Sequence, residues 1–329
     1  MKYRTLGNTD IPVSVIGLGT WAIGGDSQWG ESDDSLSIRT IQEAADRGIT
    51  YIDTAPAYGL GHSEEIVGKA VKGRRDSCVI ATKCGLIWDN TEGCALLMHR
   101  DGVDVCRNLA PDSIVLQVEQ SLRRLGMEYI DLLITHWQAQ PPNNTPIAET
   151  MGALNRLVEQ GKIRAVGVSN VTPEQIDEYA ANGNLSVVQQ KYSMLDRTTE
   201  RNGILDACER HGLTFQPYSP LERGLLTGKV TMETEISGNA KKSVRYYAPE
   251  ERAHVIAMLQ QIEPLCRKYR CSMSSLVLAW TVARKPYMHV ICGARKPEQI
   301  IDNAAGGEIE IEKADADRID ALAAACISP

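Results

Sequence analysis

Short β-branched runs that end in polar or small residues alternate along this chain with longer segments of helical period. The runs are VSVIGLGT (13–20), TYIDTA (50–55), CVIATK (78–83), YIDLLITHW (129–137), IRAVGVSN (163–170), VVQQKY (187–192), LTFQPYSP (213–220) and HVICGA (289–294). Amphipathic segments follow near 34–47, 63–72, 111–125, 146–161, 172–182, 199–211, 272–284 and 296–304. Thr172-Pro173-Glu174-Gln175 spells a capping box, with Thr172 as N-cap and Gln175 able to reach back to the cap amide. Pro111, Pro146 and Pro297 suit the first turn of a helix in the same way.

Such alternation predicts parallel strands joined by helices, and eight units with no linker-like stretch predict one α/β domain over 1–329, a (β/α)8 TIM barrel, rather than two doubly wound sheets. Three stretches break the rhythm: a β-hairpin expected around Gly7-Asn8, residues 84–110 after the third strand, and 222–271 after the seventh. The last two read as long loops, and long βα loops on barrels usually build the site.

Composition narrows the partners. With 329 residues, 43% hydrophobic and 23% charged, the chain is too apolar and too patterned for disorder. Its 35 Lys and Arg against 42 Asp and Glu leave a net charge of −7 with no basic block, which argues against nucleic acid and anionic bilayers. No apolar run approaches ~18 residues, and MKYRTLGNTD lacks the apolar stretch and cleavage site of a secretory signal, so a cytoplasmic protein is expected. Nine cysteines without a C-x-x-C read as reduced thiols, and no metal set is expected. The oligomeric state stays open.

Catalytic groups of a barrel sit where strands end, which singles out Asp53, Lys83, His136, Ser169, Asn170, Gln189 and Tyr218, with Tyr58 just beyond the second strand. Asp53 could hold the Lys83 ammonium beneath the Tyr58 phenol, and an ammonium there favours phenolate, bringing the hydroxyl's pKa down from ~10. Taken singly, each residue has a plainer role available: a helix cap for Asp53, a surface lysine for Lys83, a core histidine for His136, a loop aromatic for Tyr58. Cys84 beside Lys83 is either a thiolate-prone thiol or small apolar filler. A different chemistry, with Lys83 or Lys191 as a Schiff-base amine, needs none of the other groups.

The order Asp53, Tyr58, Lys83, His136 resembles the tetrad of the aldo-keto reductase superfamily, and the resemblance runs through GLGTWAIGG (17–25), IDTAPAYGLGHSEEIVGKA (52–70), THW (135–137), VGVSN (166–170), YSPLERGLLTGK (218–229) and GARKPEQIIDN (293–303). Within it the chain looks most like bacterial general aldehyde reductases acting on methylglyoxal and glyceraldehyde. The resemblance implies hydride transfer from a reduced nicotinamide to a small aldehyde, with Tyr58 as proton donor, Lys83 and Asp53 tuning it, and His136 orienting the carbonyl. It also implies a dinucleotide extended across the barrel mouth. Ser169, Asn170 and Gln189 would hold the carboxamide, Tyr218 would stack on the ring, and Gly19, Thr20, Trp21 and Asp53 would line the same end. Ser219, Pro220, Leu221 and Gly224 would meet the pyrophosphate, and Gly293, Arg295, Gln299 and Asn303 the adenosine end.

Gly17-Leu18-Gly19 lacks the spacing of a dinucleotide fingerprint. Arg295, with Lys296 beside it, offers a charged fork for a 2′-phosphate and so favours NADPH, while the neutral Gln299 leaves NADH usable as well. Trp21, Trp88 and Trp137, with Tyr58 and His136, are expected either to wall an apolar substrate pocket or, for the tryptophans, to anchor loops. No arginine is expected in that pocket unless Arg100 or Arg107 reaches in, which suits a neutral aldehyde. A regulatory subunit of the same fold, binding the cofactor with little turnover, is the remaining alternative.

Overall fold

In the computed structural model, which describes residues 1–327, the alternation resolves into a closed barrel of eight parallel strands. They are β1 (Ile16–Gly19), β2 (Tyr51–Asp53), β3 (Val79–Cys84), β4 (Ile130–Thr135), β5 (Ile163–Ser169), β6 (Leu185–Lys191), β7 (Thr214–Tyr218) and β8 (Val290–Gly293), paired in sequence order, with β8 closing onto β1. Helices α1 (Asp34–Asp46), α2 (His62–Ala70), α3 (Pro111–Leu125), α4 (Ile147–Glu159), α5 (Pro173–Asn182), α6 (Ile204–His211), α7 (Met273–Ala283) and α8 (Pro297–Gly306) cover the outside. The larger apolar core fills the space between strands and helices. Among the described residues no helix is long and apolar enough to cross a membrane.

The capping box forms as expected: the Thr172 amide donates to Gln175 Oε1 at 3.0 Å, and the Gln175 amide donates to Thr172 Oγ1 at 3.3 Å. Pro111 and Pro297 open α3 and α8, whereas Pro146 stands one residue ahead of α4. The expected first strand divides in two. Pro12–Ser14 pairs antiparallel with Tyr3–Thr5 in the hairpin, the Val15 amide donates to Lys2 O, and only Ile16–Gly19 enters the barrel. The expected helix over 199–211 begins instead at Ile204, because Gly203 adopts a left-handed φ of 86°.

Both long stretches carry regular structure. After β3 the chain forms a small antiparallel sheet from Leu86–Ile87, Ala95–Arg100 and Val103–Arg107, turning at Asp101-Gly102, where both residues have positive φ. After β7, a 21-residue helix spans Pro249–Tyr269, and a C-terminal helix spans Lys313–Ile327.

The hairpin seals the end of the barrel where the strands begin. The Gly7 amide donates to Thr214 Oγ1 at 2.7 Å and Asn8 Nδ2 to Leu185 O at 3.1 Å, both at strand starts. Leu6, Ile11 and Val13 join Tyr51, Leu132, Val187 and other inward-facing residues in a second apolar cluster. One polar thread crosses this interior: Tyr51 Oη donates to Gln216 Oε1 at 3.1 Å, and Gln216 Nε2 lies 2.8 Å from His289 Nδ1.

Burial lowers the His289 pKa from 6.5 to about 3, assisted by Arg4. The unfolded chain therefore binds a proton that the folded chain refuses, so this contribution to stability is complete above pH 6.5 and is lost as the pH falls towards 3. The expected outcome is a loss of about 1.4 kcal/mol per pH unit from this group, read as a steeper fall of urea-unfolding free energy between pH ~6 and ~5 in the wild type than in His289→Gln. Parallel profiles would contradict it.

Candidate active site

Strand ends bring four chemically able side chains together. Asp53 is the last residue of β2, Lys83 lies one residue from the end of β3, His136 directly follows β4, and Tyr58 sits in the turn after β2. The Lys83 ammonium, 1% exposed, donates to Asp53 Oδ1 at 2.7 Å, Thr54 O at 2.9 Å and Tyr58 Oη at 3.2 Å. Those three acceptors match the three protons of an ammonium. Asp53 Oδ2 accepts from Gln189 Nε2 at 2.9 Å, and the same nitrogen lies 3.2 Å from Gln216 Oε1, so the polar thread ends at this ion pair. The His136 ring stands edge-on to Tyr58, with centroids 5.9 Å apart.

The turn carrying Tyr58 is held by backbone. A Cβ on Gly59, whose φ is 62°, would lie 2.2 Å from Gly24 O, and a Cβ on Gly24 would lie 2.7 Å from the Gly59 amide nitrogen. Only two glycines allow this approach, which brings the loop of Trp21 alongside Tyr58 at a ring separation of 6.2 Å.

Burial raises the Tyr58 pKa, and this outweighs the lowering by Lys83, so the expectation of a phenolate-leaning tyrosine is corrected: the hydroxyl holds its proton at neutral pH. Burial also disfavours the Lys83 ammonium, but Asp53 and the hydrogen bonds overcompensate and its pKa is raised. Such a lysine is no free amine for Schiff-base attack. Lys191, the other amine considered, is paired with Asp196 at 3.2 Å and Glu222 at 3.5 Å. Burial, with Lys83 and Arg100 adding to it, pushes the His136 pKa well below its usual value and leaves a neutral imidazole. Cys84 is buried and its thiol is pushed up to about 12, which leaves it as apolar filler.

A cavity of about 650 Å³ opens above these groups and runs across the strand ends to β8 and α8. Its walls include Asp53, Tyr58, His136, Ser169, Asn170, Gln189 and Tyr218 at the chemical end, with Gly19, Trp21 and Trp137. Ser219, Pro220, Leu221 and Gly224 line its middle, and Gly293, Arg295, Gln299 and Asn303 its far end. Lys83 lies beneath, reached through Tyr58. Asn170 is committed on both sides, donating to His136 O at 2.8 Å and accepting from Tyr218 Oη at 2.9 Å, and it holds a left-handed φ of 56°.

Two expected residues fall outside the cavity. Thr20 is wholly buried, its hydroxyl bonded to Asp53 O at 2.9 Å and Ser63 Oγ at 2.8 Å, where it ties the ends of β1 and β2. Trp88 packs against Ala57, Leu86 and Val105 and so anchors the excursion after β3. In their place the cavity takes Trp29, Met98 and Val105, none of them assigned to it from sequence, and Arg100, one of the two loop arginines considered able to reach in; Arg107 does not line it. Asp101-Gly102 was the available signal: an Asp-Gly pair between alternating apolar residues marks a hairpin.

The middle of the groove suits a phosphate. Glu222, Arg223 and Gly224 take successive left-handed conformations, and Arg223, whose buried Nε has no partner, lines the wall beside them. At the far end the Arg295 guanidinium donates to Trp29 O at 3.1 Å and to Glu31 O, and Gln299 Oε1 accepts from the Arg295 and Lys296 amides. Arg295 thus spends donors on the loop after β1, and Gln299 caps α8. Among the described residues no group of three or more His, Cys, Asp or Glu could hold a metal.

Residues 15–324 match the model of the Aldo/keto reductase family. The chain is 45% identical to the NADH-specific methylglyoxal reductase of Escherichia coli, over 96% of each, and 40% identical to an aldo-keto reductase of Bacillus subtilis, over 91% of this chain and 87% of that one. Among solved structures, glycerol dehydrogenase from Gluconobacter oxydans superposes with a TM-score of 0.87 at 35% identity, covering 99% and 97% of the two chains. An aldo-keto reductase from Klebsiella pneumoniae in complex with NADPH gives 0.72 at 25% identity, covering 98% and 95%. The chain belongs to the aldo/keto reductase family.

Removing one partner of the Lys83–Asp53 pair leaves a buried charge without compensation. Lys83→Met is expected to cost about 3–5 kcal/mol, measured as the drop in urea-unfolding free energy. A drop below ~1 kcal/mol would mean that water already screens the pair.

Proposed function

We propose that this protein reduces small aldehydes such as methylglyoxal or glyceraldehyde to alcohols with NAD(P)H, and that Tyr58 donates the proton. The observation carrying this reading is the Tyr58 hydroxyl 3.2 Å from a buried ammonium, at the floor of a cavity of about 650 Å³ that runs from Tyr58 and His136 to Arg295 and Asn303. A reduced nicotinamide dinucleotide bound in the groove supplies the hydride for the carbonyl carbon.

The chain's own groups handle the oxygen. The neutral His136 imidazole donates a hydrogen bond to the carbonyl oxygen and orients it where negative charge develops. Tyr58 gives its proton to that oxygen, and the phenolate left behind is stabilised by the Lys83 ammonium, itself held in place by Asp53 and Thr54 O. In holding such a dinucleotide, Ser169 and Gln189 would serve the carboxamide, Tyr218 would offer a ring face, Arg223 and the turn from Ser219 to Gly224 would serve the pyrophosphate, and Asn303 the adenosine end. Trp21, Trp29 and Trp137 exclude water around a small substrate. The nine free cysteines suit a reducing compartment, so we place the protein in the cytoplasm.

Two cofactor readings compete at Arg295. Its charge beside Lys296 supports NADPH, whereas its bonds to two loop carbonyls, the neutral Gln299 and the NADH-specific name of the E. coli relative support NADH. If the guanidinium serves a 2′-phosphate, Arg295→Ala raises the Kd for NADPH by about 10- to 100-fold and hardly alters NADH, read by nicotinamide fluorescence. Equal effects on both would assign Arg295 to the loop alone.

Tyr58→Phe is expected to lower kcat for aldehyde reduction by about 100-fold or more while the cofactor Kd stays within ~3-fold, because only proton donation is lost. An unchanged kcat would overturn the proton-donor assignment. Cofactor that binds tightly to the wild type but persists across an aldehyde panel would favour the regulatory reading.

A further inference from the structure

The excursion after β3 places a cation where a neutral aldehyde pocket has no need of one. Arg100, the last residue before the Asp101-Gly102 turn, is 7% exposed and lines the cavity together with Tyr58, His136 and Trp137. A guanidinium has five N–H donors. One Nη donates to Ala57 O at 2.5 Å, the other has only the Met98 thioether at 3.3 Å, and Nε is buried without any partner. Among the described residues its ion-pair partner is loose: Asp26 Oδ2 stands 3.6 Å away, beyond a hydrogen bond, and that oxygen has no hydrogen-bond partner. A buried arginine whose Nε has no partner and one of whose Nη atoms has a thioether for acceptor is costly unless something else bonds to it.

Position says what that something is. The guanidinium is bonded to the carbonyl of Ala57, the residue before Tyr58, and it is close enough to help lower the His136 pKa. Arg100, Tyr58 and His136 line the same cavity, so a substrate whose carbonyl oxygen sits between Tyr58 and His136 occupies space that Arg100 also borders. Asp26 already balances the cation's charge at short range, so the vacant donors suit an uncharged oxygen better than a carboxylate or phosphate.

We propose that Arg100 is the specificity-determining residue of this site and that it hydrogen-bonds an oxygen on the carbon next to the reacting carbonyl, selecting 2-oxoaldehydes and 2-hydroxyaldehydes over plain aliphatic aldehydes. This rests on the reductase reading above and narrows its substrate class. A site built to bond such an oxygen discriminates against the analogue lacking it, because the buried donors are then left unpaired.

Methylglyoxal and propanal share a three-carbon chain and differ at that position, so the test compares kcat/KM for the two in the wild type, Arg100→Met and Arg100→Lys. Dividing each variant's methylglyoxal-to-propanal ratio by that of the wild type removes the intrinsic reactivity difference. The ratio is expected to fall about 10- to 100-fold in Arg100→Met, the size of a lost charge-assisted hydrogen bond, and to recover in part in Arg100→Lys, which keeps a donor. If both substrates decline together, Arg100 acts by supporting Ala57 and the Tyr58 turn, and the proposal is overturned. An unchanged ratio overturns it too. A wild type that reduces neither substrate defeats the reductase reading and this inference with it, whereas a wild type that turns over both while the variants keep its ratio defeats the inference alone.

Discussion

The Lys83–Asp53 ion pair inside the barrel mouth is the constraint around which the rest is arranged. Two charges at 1% and 3% exposure face a desolvation penalty of several kcal/mol each, recovered only when each remaining proton and lone pair is satisfied. Lys83 meets that demand with three acceptors, and Asp53 with Gln189 on its second oxygen. Those partners come from the end of β2 and the turn after it (Asp53, Thr54, Tyr58) and from β6 (Gln189), so the satisfied pair requires β2, β3 and β6 in register. Stability and the geometry of Tyr58 therefore have the same source.

The barrel interior is divided by polarity along its axis. Below, the hairpin residues Leu6, Ile11 and Val13 complete an apolar plug with Tyr51, Leu132 and Val187. Through it runs the thread His289–Gln216–Gln189, whose amides are oriented by their fixed partners: Gln216 turns Nε2 to His289 and Oε1 to Tyr51 and Gln189. Gln189 in turn directs Nε2 at both Gln216 and Asp53, which leaves its Oε1 as the end available to the cavity. Depressed histidine pKa values at both levels keep the interior free of additional positive charge.

Above the ion pair, the walls come from segments outside the strand-helix repeat. The small sheet after β3 contributes Met98, Arg100 and Val105 beside Tyr58 and His136. Across the groove, Arg223 bonds to Ser243 Oγ at 2.7 Å and to Ala240 O, while the Ala240 amide reaches Gln28 O and Arg295 reaches Trp29 O and Glu31 O. The loop after β1 is thus fastened from both the β7 and β8 sides. Arg295 therefore has two claims on its donors, the loop carbonyls it already bonds and a 2′-phosphate that its charge would suit.

The repeat, the capping box at Thr172 and Gln175, and the strand-end polar set were legible in the sequence because they depend on local period and on where a barrel presents its strand termini. Asp53, Tyr58, Lys83 and His136 were legible for the same reason, and the structure places them within one cluster. The split of 13–20 at Val15 was not, since the pattern does not say which β-branched residues leave for the hairpin. Thr20, expected at the cavity from the family resemblance, and Trp88, expected there from its place in the loop after β3, both face elsewhere, because the choice between facing the cavity and facing a neighbouring element is made by packing. The sign of the Tyr58 pKa shift was equally beyond reach: sequence supplies the ammonium, while burial, a property of the assembled mouth, decides that the proton stays. Arg100 shows the same division, because its charge is written in the chain while its unfilled donors exist only once the sheet after β3 folds against Ala57.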